Sequence, residues 1–222
     1  MKKKIKISID IVMVCLLPML MAYSLIGEKF HEIIGTGMFV LFIVHHILNR
    51  NWYAALFKGK YNVRRVFQTV LDMLLLVVMI LQPVSGILLS KHLYTFLPVL
   101  PGLALTRKIH MSLAYWGYVL LSIHAGTHLI ILFAKMKRNN KKVWAAVMIL
   151  MILISVYGIY AFVKRSFPDY MFMGVAFSFF DVNEARIYFI MDYLAVMIDF
   201  AFSGMLFLYI LSFICIKENK HT

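Results

Sequence analysis

Six apolar runs take up most of this chain, and membrane-crossing helices are what such runs build. They cover residues 8–26, 31–48, 66–89, 109–133, 143–163 and 187–214 of 222. A bilayer's hydrocarbon core is about 30 Å thick and an α-helix rises about 1.5 Å per residue, so a span takes about 20 apolar residues. The expected fold class is all-α: a polytopic membrane helical bundle with about six transmembrane helices. The run 31–48 is short for a span. Six helices leave no room for a separate soluble domain, and a hydrophobic content of 63% is far above that of a soluble chain.

The joints carry turn chemistry. Gly27 and Glu28 end the first run, and Pro98, Pro101 and Gly102 break the connection after the third. Asn139 and Asn140 sit in a basic turn before the fifth. A four-helix core is expected over residues 1–135. Two further spans with an external loop are expected over 136–222, in the same membrane domain. Residues 166–186 of that loop hold Phe167, Tyr170, Phe172, Phe177, Phe179 and Phe180, suited to the membrane interface or to docking a partner. Lys2, Lys3, Lys4, an apolar run and then Ala22-Tyr23-Ser24 resemble a cleavable signal peptide. Asp10 inside the run, and the run's length, favour a retained span instead.

Charge sets an orientation. With the N-terminus in the cytoplasm, 16 of the 23 basic residues fall on the inside: four before the first span, five at positions 50–65, five at 135–142, then Lys217 and Lys220. The seven outside are interleaved with Glu28, Glu32, Asp169, Asp181 and Glu184. The positive-inside rule places both termini in the cytoplasm. A net charge of +13 then reads as topology plus contact with anionic lipid headgroups. Basic residues spread over every inside loop argue against nucleic acid.

Within these spans the histidines repeat. His31 and His45 are 14 residues apart, and so are His110 and His124. Fourteen helical residues turn about 1400°, within about 40° of four turns, and rise about 21 Å. Each pair therefore shares one helix face at two depths. The second and fourth spans run in the same direction, so His31 faces His110 and His45 faces His124. That constellation suits two b-type haems, one imidazole from either helix on each iron. The core is then a four-helix haem-binding core. No C-x-x-C-H is present and Cys15 and Cys215 lie in apolar runs, so the haems would be non-covalent.

Other residues keep two readings. His46, beside His45, is an alternate ligand pointing about 100° away. His128, one turn past His124, is an alternate ligand, a propionate or quinone contact, or half of a zinc pair with His124. His92 reads as a solvated loop residue and His221 as a tail residue. Gly35, Gly37, Gly86, Gly117 and Gly126 suit close approach of a macrocycle, or plain helix packing. Arg107 and Lys108, just before His110, suit haem propionates. Arg50, Arg64 and Arg65 read better as interface anchors. Asp10 and Asp72 lie near the cytoplasmic ends of their spans, where a charge costs little. Asp192 lies nearer the external end, and Asp199, nearer mid-membrane, suits a proton relay or quinone contact, or a pairing within the bundle. Asp10, Pro18 and Ser24 recur loosely as Asp72, Pro83 and Ser85.

Several strings carry a resemblance. They are His31-Glu32-Ile33-Ile34-Gly35, the stretch 45–52, Lys58 to Arg65, Ser85-Gly86-Ile87-Leu88-Leu89-Ser90, Arg107-Lys108-Ile109-His110, Ala114-Tyr115-Trp116-Gly117 and the stretch 124–128. Together they resemble the flavinylation-associated cytochromes over about residues 5–135, with looser likeness around Pro168-Asp169-Tyr170 and Asp192-Tyr193. The resemblance implies a di-haem cytochrome of a prokaryotic cell membrane, similar to the cytochrome b superfamily. It implies electron transfer between the quinone pool and an extracytosolic flavoprotein carrying covalent FMN, or another acceptor. A membrane anchor of a dehydrogenase, a ferric reductase, a histidine-based metal-ion transporter and a structural scaffold are the alternatives. With no catalytic triad, phosphate loop or nucleotide fingerprint, no substrate chemistry beyond electron and proton transfer is expected.

Overall fold

The structure is a computed structural model. It describes residues 2–98, 102–175, 177, 181 and 183–218, the side chains of Lys2 and of 213–218 excepted. Pro101, Phe179, Phe180, Lys220 and His221, and the side chains of Cys215 and Lys217, lie outside the described residues.

Among the described residues every regular element is a helix: α1 (Lys2–Met21), α2 (Tyr23–Ile26), α3 (Glu28–Leu48), α4 (Asn51–Ala55), α5 (Val63–Leu88), α6 (Leu103–Asn139), α7 (Lys141–Lys164), α8 (Phe167–Met171) and α9 (Arg186–Glu218). Five of them, α3, α5, α6, α7 and α9, are long and apolar enough to cross a membrane. The chain is a multi-pass helical membrane protein. The expected sixth, α1, does not reach that standard. Every 18-residue stretch of it contains Lys4, Lys6 and Asp10, and the helix stops at Met21. The run 31–48 gains a turn at its start and becomes a full-length span of 21 residues.

The local signals explain the boundaries. Gly27 has φ 82°, a left-handed conformation open to glycine, and it separates α2 from α3. The Asn140 side chain accepts from the backbone N–H groups of Lys142 and Val143 at 3.0 and 3.1 Å, which starts α7. Exposed Ile149, Leu153, Val156, Ile159 and Val163 give α7 an apolar outer surface suited to lipid.

The chain forms two compact units. Unit 1 is Met1–Lys58, Leu76–Gly117 and Ser166–Ile190; unit 2 is Gly59–Leu75, Tyr118–Arg165 and Met191–Thr222. Helices α5, α6 and α9 each contribute to both, and residues 135 and 136 sit together inside α6.

In unit 1, α1 and α2 pack on α3, with Met13, Leu17, Met38 and Phe42 buried. The start of α3 is fastened to the loop after α5. The Glu32 carboxylate accepts from the Ser90 hydroxyl and from the backbone N–H groups of Lys91, His92 and Leu93, at 2.7–3.1 Å. Glu28 pairs with Lys91 at 2.7 Å and lies 3.7 Å from His92, so that loop histidine has an acidic neighbour. Helix α8 docks on α6. Ser112 and Trp116 donate to the Met171 carbonyl at 2.6 and 3.1 Å, and Tyr115 stacks on Tyr170. Phe167 and Tyr170 of the aromatic loop are therefore buried inside the protein, while Phe172 and Phe177 stay exposed.

In unit 2, helices meet through glycine. Methyl groups added at Gly126 and Gly204 would fall 1.9 Å from the Ala201 carbonyl oxygen and 2.5 Å from that of Ile123. No side chain fits between α6 and α9 there. Gly158 brings α7 equally close to Ala195 of α9. Buried Tyr118 donates to the Tyr193 carbonyl at 2.6 Å.

Candidate functional site

Unit 1 brings two of the four singled-out histidines together. His31, in the first turn of α3, and His110 of α6 have ring centroids 6.2 Å apart at an interplanar angle of 76°. Two imidazoles on opposite sides of one metal, each nitrogen about 2 Å from it, put ring centres roughly 6 Å apart. The His31 Nδ1 is buried without a partner of good hydrogen-bonding geometry, though the Leu20 backbone lies near the ring.

The surroundings of His110 fix its tautomer. The Ser85 hydroxyl donates to the Gln82 carbonyl at 2.8 Å, which leaves its oxygen to accept from His110 Nδ1–H at 3.0 Å. His110 Nε2 then carries the lone pair, and the Gln82 side-chain amide lies 3.3 Å from it. Gly86 makes room for the ring, since a methyl there would come 3.1 Å from His110 Cε1.

His45, also in unit 1, has a carboxylate partner. Its Nδ1 is 2.7 Å from Asp10 of α1. Lys6 of α1 donates to the Asn49 side chain at 3.1 Å, just beyond the end of α3. In unit 2, His124 repeats the arrangement, with Nδ1 2.9 Å from Asp72 of α5. An ionised carboxylate only accepts, so both histidines carry a proton on Nδ1, and in the neutral ring the lone pair is on Nε2. This is the arrangement of metal-ligating histidines, where a carboxylate orients the ring and raises its basicity.

The alternates differ from these. His46 Nδ1 is 2.6 Å from the Tyr53 hydroxyl, and its ring packs on Phe42 at 4.3 Å. That places it toward α4 with a phenol as partner. His128 is exposed and its Nε2 lies 3.4 Å from His124 Nε2. Asp72 holds the other nitrogen of His124, so it does not complete a zinc site with this pair. Among the described residues no three His, Cys, Asp or Glu side chains cluster as a metal-ion site.

Arg107, one turn before His110, places its guanidinium 5.2 Å from the Phe177 ring centroid. Gly35 and Gly117 are in ordinary to tight side-chain contact, with Leu20 and Val78 as neighbours, and Gly37 meets nothing. Gly126 is a helix-packing residue. Asp192 is completely buried; it accepts from Lys164 at 2.9 Å, from Arg165 Nε at 2.7 Å and from the Tyr157 hydroxyl. Asp199 is buried on the face of α9 that meets Gly158. Gln82, Ser85 and the pairing roles of Asp10 and Asp72 are what sequence reasoning missed. The loose recurrence of Asp10 and Pro18 as Asp72 and Pro83 was the signal for the aspartates.

The residues present fit a haem. In three of the histidines a partner engages Nδ1, so Nε2 is the nitrogen a metal would take; the fourth has a buried unpartnered nitrogen, and two of the four lie 6.2 Å apart. Comparison with protein-family models, with curated proteins and with solved structures finds no match to this chain.

Proposed function

We propose that this chain is a transmembrane electron-transfer subunit that holds two non-covalent b-type haems. The observation that carries the reading is the meeting of His31 and His110. They are 79 residues apart in sequence and come from two different spans, yet their rings lie 6.2 Å apart. These two are the ligands of one haem. The equal 14-residue spacing along the sequence assigns His45 and His124 to the other. Bound between imidazoles, haem iron supplies reversible one-electron chemistry at a potential set by ligands, burial and hydrogen bonding.

The chain's own residues orient and tune. Ser85 and Gln82 hold His110, Asp10 holds His45 and Asp72 holds His124. Arg107 is placed to meet a propionate. With α1 crossing as a sixth span, the positive-inside rule gives both termini a cytoplasmic location, which puts His31 and His110 toward the outer face. The electron partners in this reading are the quinone pool and an extracytosolic flavin carrier, on the resemblance of the histidine strings alone.

The test is a dithionite-reduced minus oxidised spectrum of detergent-purified protein, with haem counted per chain. Two b-type haems are expected. Colourless protein from cells with ample haem supply would overturn the proposal and favour a metal-ion role for the histidines.

A further inference from the structure

Cations beside a membrane span settle against acids, aromatic rings or lipid headgroups. In unit 2, Arg65 lies 4.1 Å over Tyr61 and Lys137 lies 4.7 Å over Trp144. The side chains of their neighbours Arg64, Lys135 and Arg138 have no hydrogen bond, ion pair or ring contact with any described residue. These three line one open groove of about 660 Å³ together with Ile130, Ile131 and Tyr209, and no carboxylate is among its described lining residues.

The groove has a polar end and an apolar wall. Arg64 is the second residue of α5, while Lys135 and Arg138 belong to the last turns of α6. On α6, Ile131, Lys135 and Arg138 are spaced i, i+4, i+7 and share one face. Ile131 thus lies about one turn further into the apolar part of the helix than Lys135 and about two turns further than Arg138, with Ile130 one residue deeper. Tyr209 adds a phenol, the side chain favoured where a span meets headgroups. A ligand matching this must be anionic at one end and hydrocarbon at the other. A quinone ring is neutral and would leave three cations unanswered. A free phosphate would leave the isoleucine wall uncovered.

We infer that this groove binds an anionic phospholipid. The phosphate lies against Arg64, Lys135 and Arg138, and the first methylenes of an acyl chain run along Ile130 and Ile131. The site is independent of the haem assignment.

Native mass spectrometry of the full chain in detergent tests it, titrated with phosphatidylglycerol or with phosphatidylcholine of identical chains. Phosphatidylglycerol is expected to bind more tightly. Each lipid-facing cation is worth about fivefold, so the combined variant Arg64→Gln, Lys135→Gln, Arg138→Gln should lose about a hundredfold. The single variants Lys135→Gln and Arg138→Gln, both at exposed positions, should lose about fivefold each and guard against misfolding of the triple. A charge-matched variant away from the groove, Lys58→Gln, Lys60→Gln, Lys141→Gln, should bind as wild type. Equal binding of the two lipids, or an equal loss in the charge-matched variant, would overturn the inference. So would displacement of the lipid by millimolar inorganic phosphate, which identifies a plain phosphate site. Loss of haem from the groove variant with lipid binding intact would overturn it too, assigning the cations to propionates.

Discussion

In unit 2 a methyl added at Gly126 would fall 1.9 Å from a backbone oxygen; in unit 1 a methyl added at Gly37 would meet no atom within 4 Å. Gly158 and Gly204 repeat the first situation and Gly35, whose nearest neighbour would be 3.8 Å away, approaches the second. The same residue type, in spans of similar composition, therefore serves two purposes. Unit 2 is closed by backbone laid on backbone, which is how apolar helices gain dispersion contacts where no hydrophobic effect drives them together. Along α3 of unit 1 the glycines are not clamped against another backbone. What orders the histidines of that helix is polar pairing, as with Asp10 on His45 and the Glu32 anchor one residue after His31.

The sharpest way to break this contrast is Gly126→Ala. It should cost about 3 kcal/mol, because neither backbone can retreat, and should strip folded protein from the monodisperse peak in size-exclusion chromatography. A variant that purified normally would show that the α6–α9 contact has slack. Next in size is His31→Ala or His110→Ala. Either should lower the haem count from two per chain to one, read by pyridine haemochrome, and both should remove the same haem. If they removed different haems, the 6.2 Å pair would not be a ligand pair.

A smaller effect separates the histidines by their partners. His110 is held by neutral groups, Ser85 and Gln82, whereas His45 and His124 are held by carboxylates. A carboxylate on Nδ1 makes the imidazole more basic and favours the oxidised metal. On the proposed function, the haem assigned to His45 and His124 should then have the lower potential. Asp72→Asn should raise it by about 30–60 mV, half to one decade at 59 mV per decade for one electron, with both haems retained. A spectroelectrochemical titration decides this, and a shift in the higher-potential haem instead would reverse the assignment. The smallest change is Gly37→Ala, which should hold or raise thermal stability by about 0.5 kcal/mol, since a helix gains from alanine where nothing is crowded. Measurable destabilisation in a detergent melt would mean that the α3 surface is used after all.

Much of this was legible in the chain. The apolar runs marked the spans, and Gly27 and Asn140 marked two of their starts. The first run, 8–26, is divided in the structure: α1 begins at Lys2 and so carries Lys4, Lys6 and Asp10, and it ends at Met21, ahead of the short α2. Of the glycines, only Gly126 was noticed among the three that seal unit 2, and its role was left open. Gly158 and Gly204 sit in runs whose pattern is apolar on every side, so no periodicity singles out the face that will be buried. Phe167 and Tyr170 read as surface aromatics for the same reason, since only the turn around Ser166 directs them onto Tyr115.

The sequence by itself determined that the chain is a bundle of apolar helices with cationic ends, and that His31 and His45 share one helix face, as do His110 and His124. Those properties follow from local chemistry, the length of apolar runs and the 3.6-residue turn. The equal spacings also paired His31 with His110, but only the tertiary structure decided how closely their rings approach, that Asp10 reaches His45 across 35 positions, and that Asp72 reaches His124 across 52. A side chain's partner depends on how far each helix is rotated about its own axis and how closely its neighbour approaches. Those two quantities are set by contacts between segments distant in sequence, and no local pattern carries them.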